Sequence, residues 1–171
     1  MEQTHNDQVL AEHAFALASA LKAGGQTLAL AESCTGGWVA KLCTDLAGSS
    51  NWFERGFVTY SNEAKQELLG VDAQLIEQQG AVSEPVAAQM ALGAQQRARV
   101  DCAIAITGIA GPGGGSPDKP VGTVCFGWVL GDGVVETERH LFAGDRDAIR
   151  RASVAGALMG LLERLRAPLR F

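Results

Sequence analysis

The spacing of apolar positions changes along the chain, and each change marks an element. Val9, Leu10, Ala14, Leu17 and Leu21 recur at helical spacing behind Asn6 or Asp7, either of which can cap a helix that Gly24 and Gly25 end. "TLALA" (27–31) and "DCAIAIT" (101–107) are short apolar runs, as strands covered on both faces are. "GFVTY" (56–60) reads as a further strand. Helical patterning separates them: "TGGWVAKLCTDLAG" ending at Gly48, a short helix capped by Ser61 or Asn62 and closed by Gly70, and a helix from Ser83 to about Arg99 that tolerates Pro85 in its first turn. "VGTVCFGWVL" and "VVETERHLF" flank "GDG", the signal of an antiparallel hairpin. From Asp145 to about Arg166, Ile149, Val154, Leu158, Leu161, Leu162 and Leu165 share one helix face.

Strands alternating with helices, then a hairpin, predict a three-layer α/β/α sandwich around a mixed sheet of about five strands. A length of 171 residues fits one domain, 1–171, with no repeat or linker. If the first three strands are parallel, their C-terminal ends share the edge where open α/β domains bind ligands. "ESCTGG", "TYSNEAK" and "TGIAGPGGG" all fall at that edge.

Ser33 stands where a strand turns into a helix, so its hydroxyl can project while the amides of Cys34, Thr35, Gly36 and Gly37 face a bound group. The alternative is that Ser33 or Thr35 merely caps the helix. A serine nucleophile needs a base, and Lys65 serves if burial or neighbouring positive charge depresses its pKa; Tyr60 can relay the proton. Taken singly, Lys65 reads more readily as a solvated helix lysine and Tyr60 as a rim residue. The glycine-rich loop lacks the G-K-[ST] of a P-loop, and Ser116 stands where a G-x-G-x-x-G pattern from Gly111 needs its last glycine. A lid and a nest of amides both remain open readings of it.

A net charge of −5 argues against a broad nucleic-acid footprint. No basic-then-apolar leader opens the sequence and no apolar run reaches ~18 residues, so a cytoplasmic protein without membrane attachment is expected. Cys34, Cys43, Cys102 and Cys125 form no C-x-x-C pair and are expected as buried, reduced thiols. His5, His13 and His140 have no metal-ligand spacing, and neither metal nor cofactor is expected. A Cys34/His140 pair is the one competing nucleophile arrangement.

"AESCTGGWVAKLCTDLAGSS", "GFVTYSNEAKQELLGV", "GAVSEPVAAQMALGA", "AIAITGIAGPGGGSPDKPVGTV" and "FAGDRDAIR", in this order, resemble the CinA C-terminal domain family. The resemblance implies hydrolysis of the carboxamide of nicotinamide mononucleotide to nicotinate mononucleotide and ammonia, a salvage step of the pyridine nucleotide cycle. It matches Ser33 to the family's nucleophile and Tyr60 and Lys65 to its partner residues. The amides after Ser33 would then stabilise the oxyanion. Candidates for the substrate phosphate are the backbone of Gly36, Gly37 and Gly108 to Gly111, the hydroxyls of Thr35 and Thr107, and Arg146. Members with a larger N-terminal domain exist, and this chain reads as the stand-alone form. The expected partners are the small nucleotide and a second copy of the chain, a dimer; "ASVAGALMG" (152–160) permits close helix packing, within a subunit or between subunits. Competing readings are a non-catalytic nucleotide-binding regulatory module and a serine amidohydrolase acting on another small amide.

Overall fold

The runs "LALA" (28–31) and "AIAI" (103–106) are apolar throughout, yet their residues alternate in size, and that alternation sorts the molecule into two unlike layers. The computed structural model describes residues 5–167. In chain order it runs α1 (Asp7–Gly24), β1 (Leu28–Glu32), α2 (Trp38–Thr44), a single 3-10 turn (Ser49–Asn51), β2 (Phe53–Val58), α3 (Asn62–Leu69), α4 (Ala73–Gln79), α5 (Glu84–Ala98), β3 (Cys102–Gly108), β4 (Thr123–Leu130), β5 (Val134–Leu141) and α6 (Arg146–Arg166). The sheet order is β2-β1-β3-β4-β5. β1 is parallel to β2 and β3, while β4 is antiparallel to β3 and β5. This is the expected α/β/α architecture with a mixed five-stranded sheet.

On one face Leu28, Leu30, Ile104, Ile106, Phe126 and Trp128 pack with Leu10, Leu17, Val39, Val154, Leu158 and Leu161 of α1, α2 and α6. Each large side chain so buried contributes about 1.5–3 kcal/mol. On the other face Ala29, Ala31, Ala103 and Ala105 meet Val86, Met90, Ala91 and Ala94 of α5, with Leu69 and Ile76 from α3 and α4. The small residues let α5 come close: a Cβ on Gly127 of β4 would stand 2.5 Å from the Ala87 carbonyl oxygen. The "ASVAGALMG" stretch packs inward. A Cβ on Gly160 would meet the Trp128 ring at 2.2 Å and one on Gly156 the Phe126 ring at 3.1 Å, so those glycines serve packing within the chain.

Three boundaries differ from the sequence reading. α2 is limited to Trp38–Thr44 because Gly36 and Gly37 adopt φ of 62° and 95°, so Cys34–Gly37 is a turn. β2 begins at Phe53 rather than Gly56, because an edge strand with exposed Glu54 and Arg55 lacks the apolar signature of a covered one. α4 is additional: Asp72 caps it by accepting from the Gln74 amide at 2.9 Å, and Gly80 ends it.

Candidate active site

β1 and β3 deliver Ser33 to the C-terminal edge of the sheet. The Ser33 amide donates to the Ile106 carbonyl at 3.0 Å, extending the β1/β3 pairing by one step, and the Thr59 amide donates to the Glu32 carbonyl at 2.9 Å on the other side. The turn beyond is closed by Glu32, 1% exposed at the end of β1. Its Oε1 accepts from the Thr35 hydroxyl at 2.7 Å and the Val39 amide at 2.9 Å, and its Oε2 from the Ala40 amide at 3.0 Å. A carboxylate with three donors on it satisfies the first amides of α2 and ties them to the strand that carries the serine.

Lys65 arrives from α3, whose start Ser61 fixes by accepting from the Ala64 amide at 3.0 Å. Only 1% of the residue is exposed. Its Nζ lies 3.0 Å from Ser33 Oγ, 2.9 Å from the Thr59 carbonyl oxygen and 3.5 Å from that of Tyr60. A neutral amine has two N–H donors and one lone pair. Nζ donates to all three oxygens; in the neutral form it keeps the two carbonyls and turns its lone pair to the Ser33 hydroxyl. No ion pair among the described residues involves Lys65. Burial holds its pKa below the ordinary lysine value, against a smaller opposing effect of Cys34.

A cavity of about 290 Å³ opens over the pair, lined by Ser33, Cys34, Tyr60, Asn62, Lys65, Ala81, Val82, Thr107, Gly108–Gly111, Gly113, Gly114 and Arg146. A larger surface depression, about 830 Å³, lies between the start of α1, the end of β5 and the start of α6, and among the described residues it contains no nucleophile with a base. The glycine-rich loop forms a wall of the smaller cavity. Arg146 donates from Nη1 to the Gly111 carbonyl at 2.6 Å, and Lys119 donates to the Gln79 carbonyl.

The family model for the CinA C-terminal domain matches residues 10–165. The chain belongs to the CinA C-terminal domain family. Among curated relatives, the nicotinamide-nucleotide amidohydrolase PncC of Escherichia coli K12 is 61% identical over 142 residues, which cover 83% of this chain and 86% of that one. The protein of the same name from Enterobacter agglomerans is 52% identical over 157 residues, covering 92% and 96%. The crystal structure of the competence/damage inducible protein CihA from Agrobacterium tumefaciens superposes with a TM-score of 0.88 at 43% identity, covering 92% and 96%.

Within this CinA C-terminal domain, eight of the residues singled out from sequence line the cavity: Ser33, Cys34, Tyr60, Lys65, Thr107, Gly108, Gly111 and Arg146. Thr35, Gly36 and Gly37 do not; they form the turn behind Ser33, and the Thr35 hydroxyl proton is held by Glu32. The Thr107 proton likewise goes to the Ala81 carbonyl at 2.9 Å, so neither hydroxyl has a free proton for a phosphate. Tyr60 does not bridge serine and lysine. Its phenol oxygen accepts from Arg146 Nη2 at 3.2 Å, and only its main-chain carbonyl faces Lys65.

Cys34 and His140 do not pair either. His140 lies on β5 beside Glu138 at 2.8 Å, and burial pushes the Cys34 thiol up to about 11, leaving no thiolate near neutral pH. All four cysteines are free and buried. Among the described residues no cluster of three metal-ligating side chains occurs, and no helix is long and apolar enough to cross a membrane. Glu32 and Arg150 went unnoticed in the sequence, where Asn62 reads only as a candidate helix cap, a place Ser61 takes. Only Glu32 carried a signal, an acidic residue just ahead of a helix start whose amides need acceptors.

Proposed function

We propose that this chain is an amidase that hydrolyses the carboxamide of nicotinamide mononucleotide to nicotinate mononucleotide and ammonia. The observation that carries the reading is the 3.0 Å approach of a buried lysine amine to Ser33 Oγ. The substrate is taken from the names of the Escherichia coli and Enterobacter relatives.

Ser33 Oγ attacks the carboxamide carbon as its proton passes to Lys65 Nζ. Amides of the turn stabilise the oxyanion, an interaction worth about 3 kcal/mol per donor. Collapse expels the nitrogen, which takes the proton from Lys65 and departs as ammonia, leaving a Ser33 ester. Water then gives a proton to the neutral Lys65 and adds to the ester; collapse returns that proton to Ser33 and frees the acid. The substrate's pyridinium charge aids both halves, because it withdraws electrons from the carbonyl and disfavours an ammonium on Lys65. Arg146, the one arginine in the cavity lining, is the cation for the phosphate, with Tyr60 holding it. Tyr60 therefore acts through Arg146 and not as a relay.

Ammonia release from nicotinamide mononucleotide by wild type, Ser33→Ala and Lys65→Ala tests the reading. Activity in wild type alone is expected. Equal, negligible release from all three with the nucleotide still bound would make the chain a binding module. Dependence on Ser33 with another amide, but indifference to the mononucleotide, would make it a different amidohydrolase.

A further inference from the structure

The turn carrying Ser33 is gripped from a distant part of the chain. Arg150, in the first turns of α6, donates from Nε to the Cys34 carbonyl at 3.0 Å and from Nη2 to the Thr35 carbonyl at 3.1 Å. Its guanidinium also lies 5.2 Å from the centre of the Trp38 ring at the start of α2. Among the described residues no carboxylate pairs with Arg150, whereas its neighbour Arg151 pairs with both Asp7 and Asp147. A half-buried cation satisfied only by two main-chain carbonyls and a ring is a costly way to fasten a helix to a turn.

Peptide geometry says what the grip controls. In a trans peptide the N–H points opposite to its C=O. Holding the Cys34 carbonyl toward α6 therefore directs the Thr35 amide away from it. The Ser33 carbonyl, which accepts from the Gly36 amide at 3.0 Å, orients the Cys34 amide in the same manner. The Ser33 and Gly36 amides are thus committed, and those of Cys34 and Thr35 donate to no oxygen among the described residues. The Thr35 carbonyl also accepts from the Trp38 amide at 3.1 Å, whereas the Cys34 carbonyl has Arg150 as its sole partner among the described residues, so the Cys34–Thr35 peptide plane depends on this side chain.

We infer that Arg150 is a positioning residue for acyl transfer: by holding the Cys34 and Thr35 carbonyls it fixes the turn that sets the free Cys34 amide, the one at the cavity, for the oxyanion. The inference rests on the amidase reading above. It does not make Arg150 a substrate ligand, and Arg150 is absent from the cavity lining.

The experiment compares wild type, Arg150→Ala and Arg150→Lys for kcat and KM on nicotinamide mononucleotide, calorimetric affinity for nicotinate mononucleotide, and thermal midpoint. For Arg150→Ala the expected result is a kcat about 10²-fold lower. KM and product affinity stay within about threefold of wild type. Added guanidinium ion restores part of kcat. Arg150→Lys, which keeps the charge but loses the two-pronged geometry, falls between. An unchanged kcat overturns the inference. So does a loss carried by KM and product affinity, which marks a substrate ligand, or a loss that tracks the folded fraction and ignores guanidinium, which marks a purely structural residue. A silent wild type instead sinks the amidase reading, and this inference with it.

Discussion

Lys65 is the residue on which the chemistry turns, because a lysine is a base only when neutral. Its pKa is lowered by burial, so the rising limb of kcat/KM against pH is expected below the ordinary lysine value near 10.5, with activity lost as pH falls through it. Lys65→Met is expected to lower kcat by about 10²–10⁴-fold. The same residue links stability to pH. Between the folded and unfolded pKa values the unfolded chain holds the extra proton, so wild-type stability rises with pH across that window. Denaturant titrations should therefore show wild type gaining on Lys65→Met as pH rises. The sequence offered Ser33 and Lys65 as partners but not their contact, since 32 intervening residues (65 − 33) say nothing about distance. It misplaced the Tyr60 phenol because a side chain at a strand end can point to either neighbour, and here Arg146 takes it.

At the level of elements, the junction of β1, turn and α2 depends on Glu32 remaining a carboxylate. All three of its partners are donors, so Glu32→Gln sets an NH₂ group against an N–H or hydroxyl. The expected cost is about 1–3 kcal/mol, read from urea denaturation, together with reduced ammonia release. Packing of α3 on α5 is equally exacting: a Cβ on Gly93 would stand 2.0 Å from the Leu69 carbonyl oxygen. Gly93→Ala should cost about 1–3 kcal/mol and, by pushing away the helix that bears Lys65, lower kcat in the fraction that folds. Apolar spacing located α1, α5 and α6 well because each has a long periodic face. It overran α2, where left-handed Gly36 and Gly37 delay the helix to Trp38, and passed over α4, seven residues with Ile76 as its one buried side chain.

Across the whole molecule, the order of strands was not legible, but the gathering of three unusual stretches at one edge was. That inference needed only that β1, β2 and β3 be parallel, which they are. The division into a bulky face and an alanine face was also written in "LALA" and "AIAI", although the runs read as uniformly apolar. Arg150 could not be found this way, because its partners are main-chain carbonyls more than 100 residues distant.

The two halves of the reacting pair are anchored with unequal tenacity. Ser33 follows β1, which has a neighbour on each side, whereas Lys65 follows β2, an edge strand held by β1 alone. Edges open before centres do. In a urea series, ammonia release should vanish at a lower concentration than the far-ultraviolet circular dichroism of the sheet and helices, and coincident curves would show that β2 and α3 melt with everything else. Inactivation would then be the parting of two side chains, complete while most of the fold still stands.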